Sequence, residues 1–175
     1  MVIDFETVEK ALWTWVSGES GLETIWDEPN APRPKTPYAL LGLVSPPVKY
    51  GSKDDLRSAG GDDFEITGQR SVAYSVKVLG RDAVSYVTDL QMSLEKPSVQ
   101  EALRAAGLAV WEEGDVLDIS ELLETGFEER ANMDVVFGIS ATTEEAVGEL
   151  KNVEVQGEIT LEDGTTRDVD IDVTT

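Results

Sequence analysis

Asp168, Asp170 and Asp172 stand at alternate positions near the C-terminus, the arrangement with which a calcium loop opens. The likeness stops at Val173, which takes the place of the glycine such a loop needs, and no glutamate follows at the twelfth position. Spaced by two, the three carboxylates instead share one face of a strand. Glu112-Glu113 and Glu128-Glu129 offer the paired carboxyls of acid–base catalysis, but nothing in the sequence sets either pair about a substrate. Among 35 acidic residues such neighbours arise by chance. Gly60-Gly61 lacks the Lys-Ser/Thr that completes a phosphate loop, so a flexible turn is predicted there. Histidine and cysteine are absent, which removes the commonest proton shuttle near neutral pH, the commonest metal ligand, thiol nucleophiles and disulfides. These residues predict no catalytic group, no metal and no cofactor.

The elements that carry them belong to one predicted domain, 1–175, long enough to bury a real core and ordinary in its 41% hydrophobic content. The outlying property is a formal net charge of −21, from 35 acidic against 14 basic residues. A field of that sign repels phosphate and anionic lipid, so tight nucleic-acid or membrane-surface binding is not expected. Asp4 and Glu6 replace the basic stretch of a signal peptide, and no apolar run approaches the roughly 20 residues that cross a bilayer. The sequence reads as a soluble chain.

Asp4 is placed to cap a helix through about Ser17, with Phe5, Val8, Leu12 and Trp15 at helical spacing and Gly18 and Gly21 as stops. Trp15 is expected in the core and Trp13 partly exposed. Leu22 to Trp26 and Tyr38 to Val44 read as strands; Pro29, Pro32, Pro34 and Pro37 stiffen the connector between them, and Pro46 and Pro47 close the second. Ser52 to Asp63 is polar and predicts a mobile loop. Phe64 to Leu79 is a long strand, with Val72, Tyr74, Val76 and Val78 on one side and Ala73, Ser75, Lys77 and Leu79 on the other. Asp82 is placed to cap a helix bearing the stripe Ala83, Val87, Leu90 and Leu94. Ser98 and Glu101 form a capping box for another, with Val99, Ala102, Leu103 and Ala106 on one face and Gly107 as its stop. Leu108 to Trp111 is a strand, Ile119 to Leu123 a short helical turn, Arg130 to Ile139 a longer strand, and the segment after Ser140 a polar loop. The end of the chain is a hairpin over 152–173 with one apolar and one acidic face, turning at Asp163-Gly164. The predicted class is α+β: a mixed, mostly antiparallel sheet covered by two or three helices, with a C-terminal β-hairpin.

Two blocks, NAPRPKTPYALLGLVS (Asn30 to Ser45) and EKPSVQEALRAAGLAVWEEGDVLDISELLETGFEERANMDVVF (Glu95 to Phe137), are followed by NVEVQGEI. In this order and separation they resemble the neck or tail-completion proteins of long-tailed bacteriophages, terminator-like proteins that cap a tail tube beneath the head. The resemblance spans most of 22–160 and brings no catalytic motif. It implies a virion protein that assembles in the host cytoplasm into a ring, usually a hexamer. That ring would stack on the tail tube protein and face the head-side connector or adaptor, with DNA passing through unbound. Under that implication the hairpin is the first candidate for reaching a neighbour, and its Glu154, Glu158, Asp168, Asp170 and Asp172 are interface or lumen candidates. The 52–63 segment, with Asp54, Asp55, Asp62 and Asp63, is the second, for touching an adjoining ring. A head-completion or connector-adaptor protein is the nearest alternative reading. An acidic inhibitor that mimics DNA is the rival from another class, and an enzyme comes third.

Overall fold

In the computed structural model the described residues are 3–28, 32–51, 54–60, 63–123, 126–146, 152–160 and 166–174. In chain order the elements are α1 (Phe5–Ser20), β1 (Glu23–Trp26), β2 (Tyr38–Lys49), β3 (Asp55–Gly60), β4 (Asp63–Leu79), α2 (Ala83–Ser93) and α3 (Pro97–Ala105). There follow β5 (Leu108–Glu113), β6 (Leu117–Asp118), β7 (Glu121–Leu123), β8 (Gly126–Glu128), β9 (Arg130–Ala146), β10 (Asn152–Thr160) and β11 (Thr166–Thr174). The fold is α+β. A seven-stranded sheet runs β1-β2-β4-β9-β5, with β3 added beside β4 and β6 beside β9; β1 and β2 are parallel and the other pairs antiparallel.

The spine is β4 against β9, in register from Asp63 opposite Ala146 to Leu79 opposite Arg130. Alternation decides which face is dry. Val72 opposite Phe137, Tyr74 opposite Val135, Val76 opposite Met133 and Val78 opposite Ala131 are all buried, and pack with Ala39 and Leu41 of β2 under the helices. Tyr74 lies at the centre, edge-on to Trp26 at 6.1 Å and to Phe137 at 6.4 Å. On the other face Tyr38, Leu40 and Leu79 form a small second cluster.

α1 starts where Asp4 accepts from Thr7 N at 3.1 Å and from its hydroxyl at 2.6 Å, and ends at Gly21, whose φ of +65° suits glycine. Gly18 lies within the helix. Trp15 is buried and donates its indole N–H to Ser93 Oγ at 2.8 Å, tying α1 to α2; Trp13 is 44% exposed. The α2 stripe of Ala83, Val87, Leu90 and Leu94 is fully buried.

Both predicted caps after the first act differently. Asp82 has φ +61° and makes no capping bond through its side chain; its backbone N–H donates to Glu129 Oε2 at 2.7 Å, anchoring the start of α2 to the foot of β9. α3 begins two residues earlier than the Ser98–Glu101 box implies, because Pro97, with its fixed φ and missing donor, takes the first helical position behind Lys96.

Four segments read as loop or turn are extended. β2 continues through Pro46 and Pro47 to Lys49, with register shifts around Ser45 that accommodate residues lacking an N–H. Within 52–63, Asp55–Gly60 is β3, paired with β4. β9 continues past Ser140 to Ala146, matched residue for residue by β4. Glu121–Leu123 is β7, paired with β8, where a helical turn was predicted.

The Tyr74 hydroxyl is buried and has no hydrogen-bond partner among the described residues; burial first, and Glu9 second, push its pKa up to about 12. An unmet hydroxyl in an apolar core costs stability while the ring contributes it. Tyr74→Phe should therefore keep stability or raise it by about 1 kcal/mol, whereas Phe137→Ala should cost about 3–5 kcal/mol, both read from urea unfolding midpoints.

Candidate partner-contact surfaces

The hairpin predicted at the chain end is present as a separate two-stranded sheet, β10 with β11. Its register sets Glu154 opposite Asp172, Gln156 opposite Asp170 and Glu158 opposite Asp168, while Val153 meets Val173 and Val155 meets Ile171. The five acidic candidates thus occupy positions on a single face of the ribbon, and the valines and Ile171 the other. The turn at Asp163-Gly164 lies outside the described residues.

The second candidate segment divides. Asp62 lies outside the described residues, and Asp63 begins β4 opposite Ala146. Asp55 is exposed beside Arg57, 3.7 Å away. Asp54 is turned inward: its carboxylate receives the Arg70 guanidinium fork at 2.9 and 3.0 Å, with Lys49 at 3.5 Å, and the Arg70 and Asp54 side chains keep only 10% and 18% exposure. Gly68 makes room for the pair, since a Cβ there would collide with Asp54 and Arg70. The hydrogen bond from Arg70 holds the Asp54 carboxyl below the usual carboxylate range.

Sequence reasoning missed the surface beside this pair. Tyr50, just after β2, and Trp111, in β5, come from the outer two of four adjacent strands, yet their rings meet at 4.7 Å with a 57° tilt. They meet above β9 at Gly138, where any side chain would strike the indole. Both rings remain partly exposed, at 60% and 40%. Gln69, Ser71 and Val136 line the open cavity around them. At the opposite end of the sheet, Arg130 donates to Glu128 at 2.6 Å and Glu121 at 2.8 Å, bracing the base of the β7–β8 hairpin. Among the described residues no group of three acidic side chains has the geometry to hold a metal ion, and no helix is long and apolar enough to cross a membrane.

The chain belongs to the phage neck terminator proteins: the sequence profile of that family matches residues 6–164. It is thus a structural component of the bacteriophage neck. Among curated proteins none matches it.

Because the Asp54 carboxyl is held below its unfolded value of about 3.9, the pair contributes stability above that pH and loses it as pH falls through the lower, folded value. Asp54→Asn should accordingly lower the unfolding midpoint at pH 7. The gap from wild type should begin to narrow at about pH 4 and close only below the lower, folded value, where both chains carry a neutral side chain; unfolding followed by circular dichroism across pH measures it.

Proposed function

We propose that this subunit assembles into a ring, a hexamer, that caps the tail tube, meets the head-side connector or adaptor, and lets DNA pass without gripping it. The observation that carries the reading is the match to the phage neck terminator family over residues 6–164. Two physical features support it. A charge of −21 repels a passing polyphosphate, so a lumen built from this chain would not arrest DNA. A ribbon with apolar positions on one face and acidic positions on the other is marginal alone in water and gains stability from a surface to lie on.

In this reading the ribbon is the segment that reaches a neighbouring copy. Its apolar positions meet protein, and Glu154, Glu158, Asp168, Asp170 and Asp172 face the lumen or the ring's rim. Asp55 and Asp63 border the contact with an adjoining ring, while Asp54 supports that border through Arg70. Assembly takes place in the host cytoplasm, and the ring stays in the virion.

Native mass spectrometry over a range of protein and salt concentrations should give a discrete ring, and the protein should co-sediment with purified tail tubes. Removing 152–175 should abolish ring formation or weaken tube attachment at least tenfold. A chain that neither self-assembles nor binds tubes, but competes with DNA for a basic enzyme, would replace this reading with that of a DNA mimic.

A further inference from the structure

The row of strands on the far side of β9 stops short. β4 pairs with β9 along the whole of its length, but on the other side β6 covers only 131–132 and β5 only 135–139. Opposite Ser140 to Ala146 no strand lies on that side among the described residues. β4, by contrast, has partners on both sides to its end, since β2 covers 70–79 and β3 covers 63–67. Alternate residues of an antiparallel strand point their N–H and C=O to opposite neighbours, so about half of 140–146 offers both groups outward. The open length is roughly 24 Å at about 3.4 Å per residue, room for one ordinary strand.

Sheet edges invite pairing unless something blunts them. β1 is four residues long, β3 shifts register between Ser58 and Gly60, and β5 shifts between Val110 and Glu112. The 140–146 edge has none of these devices: its register with β4 is unbroken, and its sequence, SATTEEA, holds no proline and no lysine. Unbroken edges of comparable length occur elsewhere among the described residues on β10 and β11. These are nine residues each, in continuous register with one another and without a second neighbour.

Face and charge then select one pairing. Ile139 and Ala141 are buried on the helix side of β9, so an added strand must set its apolar positions on their face, which admits only every second register. An antiparallel β10 covering all of 140–146 has two such registers. One sets Glu154 directly opposite Glu144; the other sets Gln156 there, with Glu154 opposite Ala146, Glu158 opposite Thr142 and Ile159 opposite Ala141. β11 has Asp168 or Asp170 opposite Glu144 in both of its registers. Like charges directly opposite are destabilising, which leaves the Gln156 register of β10. A chain that closed 147–151 as a hairpin loop onto its own edge would set Asn152 opposite Ala146, the register that opposes Glu154 to Glu144. In the structure β10 pairs with β11 alone. A strand from another copy is free of that tether.

We infer that the open edge of β9 at 140–146 is completed by β10 of a second copy, added antiparallel with Gln156 opposite Glu144, so that the sheet runs on from one subunit into the next. Edge and ribbon are different patches, so the contact is head-to-tail and repeats around a closed assembly. It rests on the ring reading and names the backbone through which the copies join.

The test uses the whole chain, whose sequence has no cysteine of its own. Thr142→Cys with Glu158→Cys, oxidised after assembly, should give disulfide-linked species larger than a monomer, with the 142–158 link mapped by mass spectrometry of peptides. Thr142 and Thr143 point their N–H groups to opposite sides, one toward β4 and one outward. Of Thr142→Pro and Thr143→Pro, the variant whose unfolding midpoint stays closer to wild type should weaken self-association at least tenfold by sedimentation velocity. Backbone amides within 140–146 should exchange with deuterium at least tenfold more slowly in the oligomer than in the monomer. A 142–158 link confined to single chains, a proline variant that assembles like wild type, or an edge protected only when tail tubes are added would each overturn the strand addition and leave the ring reading intact. A wild type that forms no oligomer even on purified tail tubes would overturn both.

Discussion

The unbroken pairing of β4 with β9 is the constraint on which the rest of the structure depends. Each strand is 17 residues long, about three times an ordinary strand, so the pair reaches well beyond what two or three short helices can cover. The half from 72 to 79, against 131 to 137, is dry on its helix side and supplies the core. Of the half from 63 to 70, against 139 to 146, Ile139 alone joins that core cluster among the described residues, and the rest is secured by other means. β3 extends the sheet at its edge, the Arg70–Asp54 pair closes one side, and Tyr50 with Trp111 closes the other. Packing thus dominates one end of the spine, and hydrogen bonding and ion pairing the other. The surfaces available to partners follow from that division.

What was legible in the sequence was what alternation or helical spacing writes locally. Val72 to Val78 declared a half-buried strand, the stripe of Ala83, Val87, Leu90 and Leu94 declared a covered helix, and Asp4 declared a start, because each of these patterns is settled by nearest neighbours along the chain. The strand segments at 55–60 and 140–146 were hidden because their largely polar composition resembles a loop; they are extended because the spine offers them a partner, which is a tertiary cause. Prolines 46 and 47 misled for a related reason, since a shifted register can absorb residues without an N–H. The Tyr50–Trp111 contact and the Asp54–Arg70 pair leave no local trace at all, joining residues from different strands. Gly138 and Gly68, whose missing side chains make those contacts possible, lie inside predicted strands and carry no mark of that role in the sequence.

The family was legible because its signal lies in ordered blocks of residues, which survive where single motifs are weak. The exposed apolar surfaces were not, because exposure is a property of the folded whole. α3 illustrates the point. Val99, Ala102, Leu103 and Ala106 form one stripe on paper, yet only Val99 and Leu103 are covered in the fold, and the remainder becomes the wall of a groove.

Charge then sets the terms on which such a chain can meet copies of itself. Several of its scarce cations are committed internally: Lys49 and Arg70 to Asp54, Lys77 to Asp27, Lys96 to Glu19, Arg130 to Glu121 and Glu128. The surplus carboxylates remain outward, and between copies they repel over the Debye length, about 8 Å at physiological ionic strength. Attraction must therefore come from contacts shorter in range than the repulsion, which means apolar side chains meeting where the local charge is balanced. The same outward charge opposes adhesion to a polyphosphate.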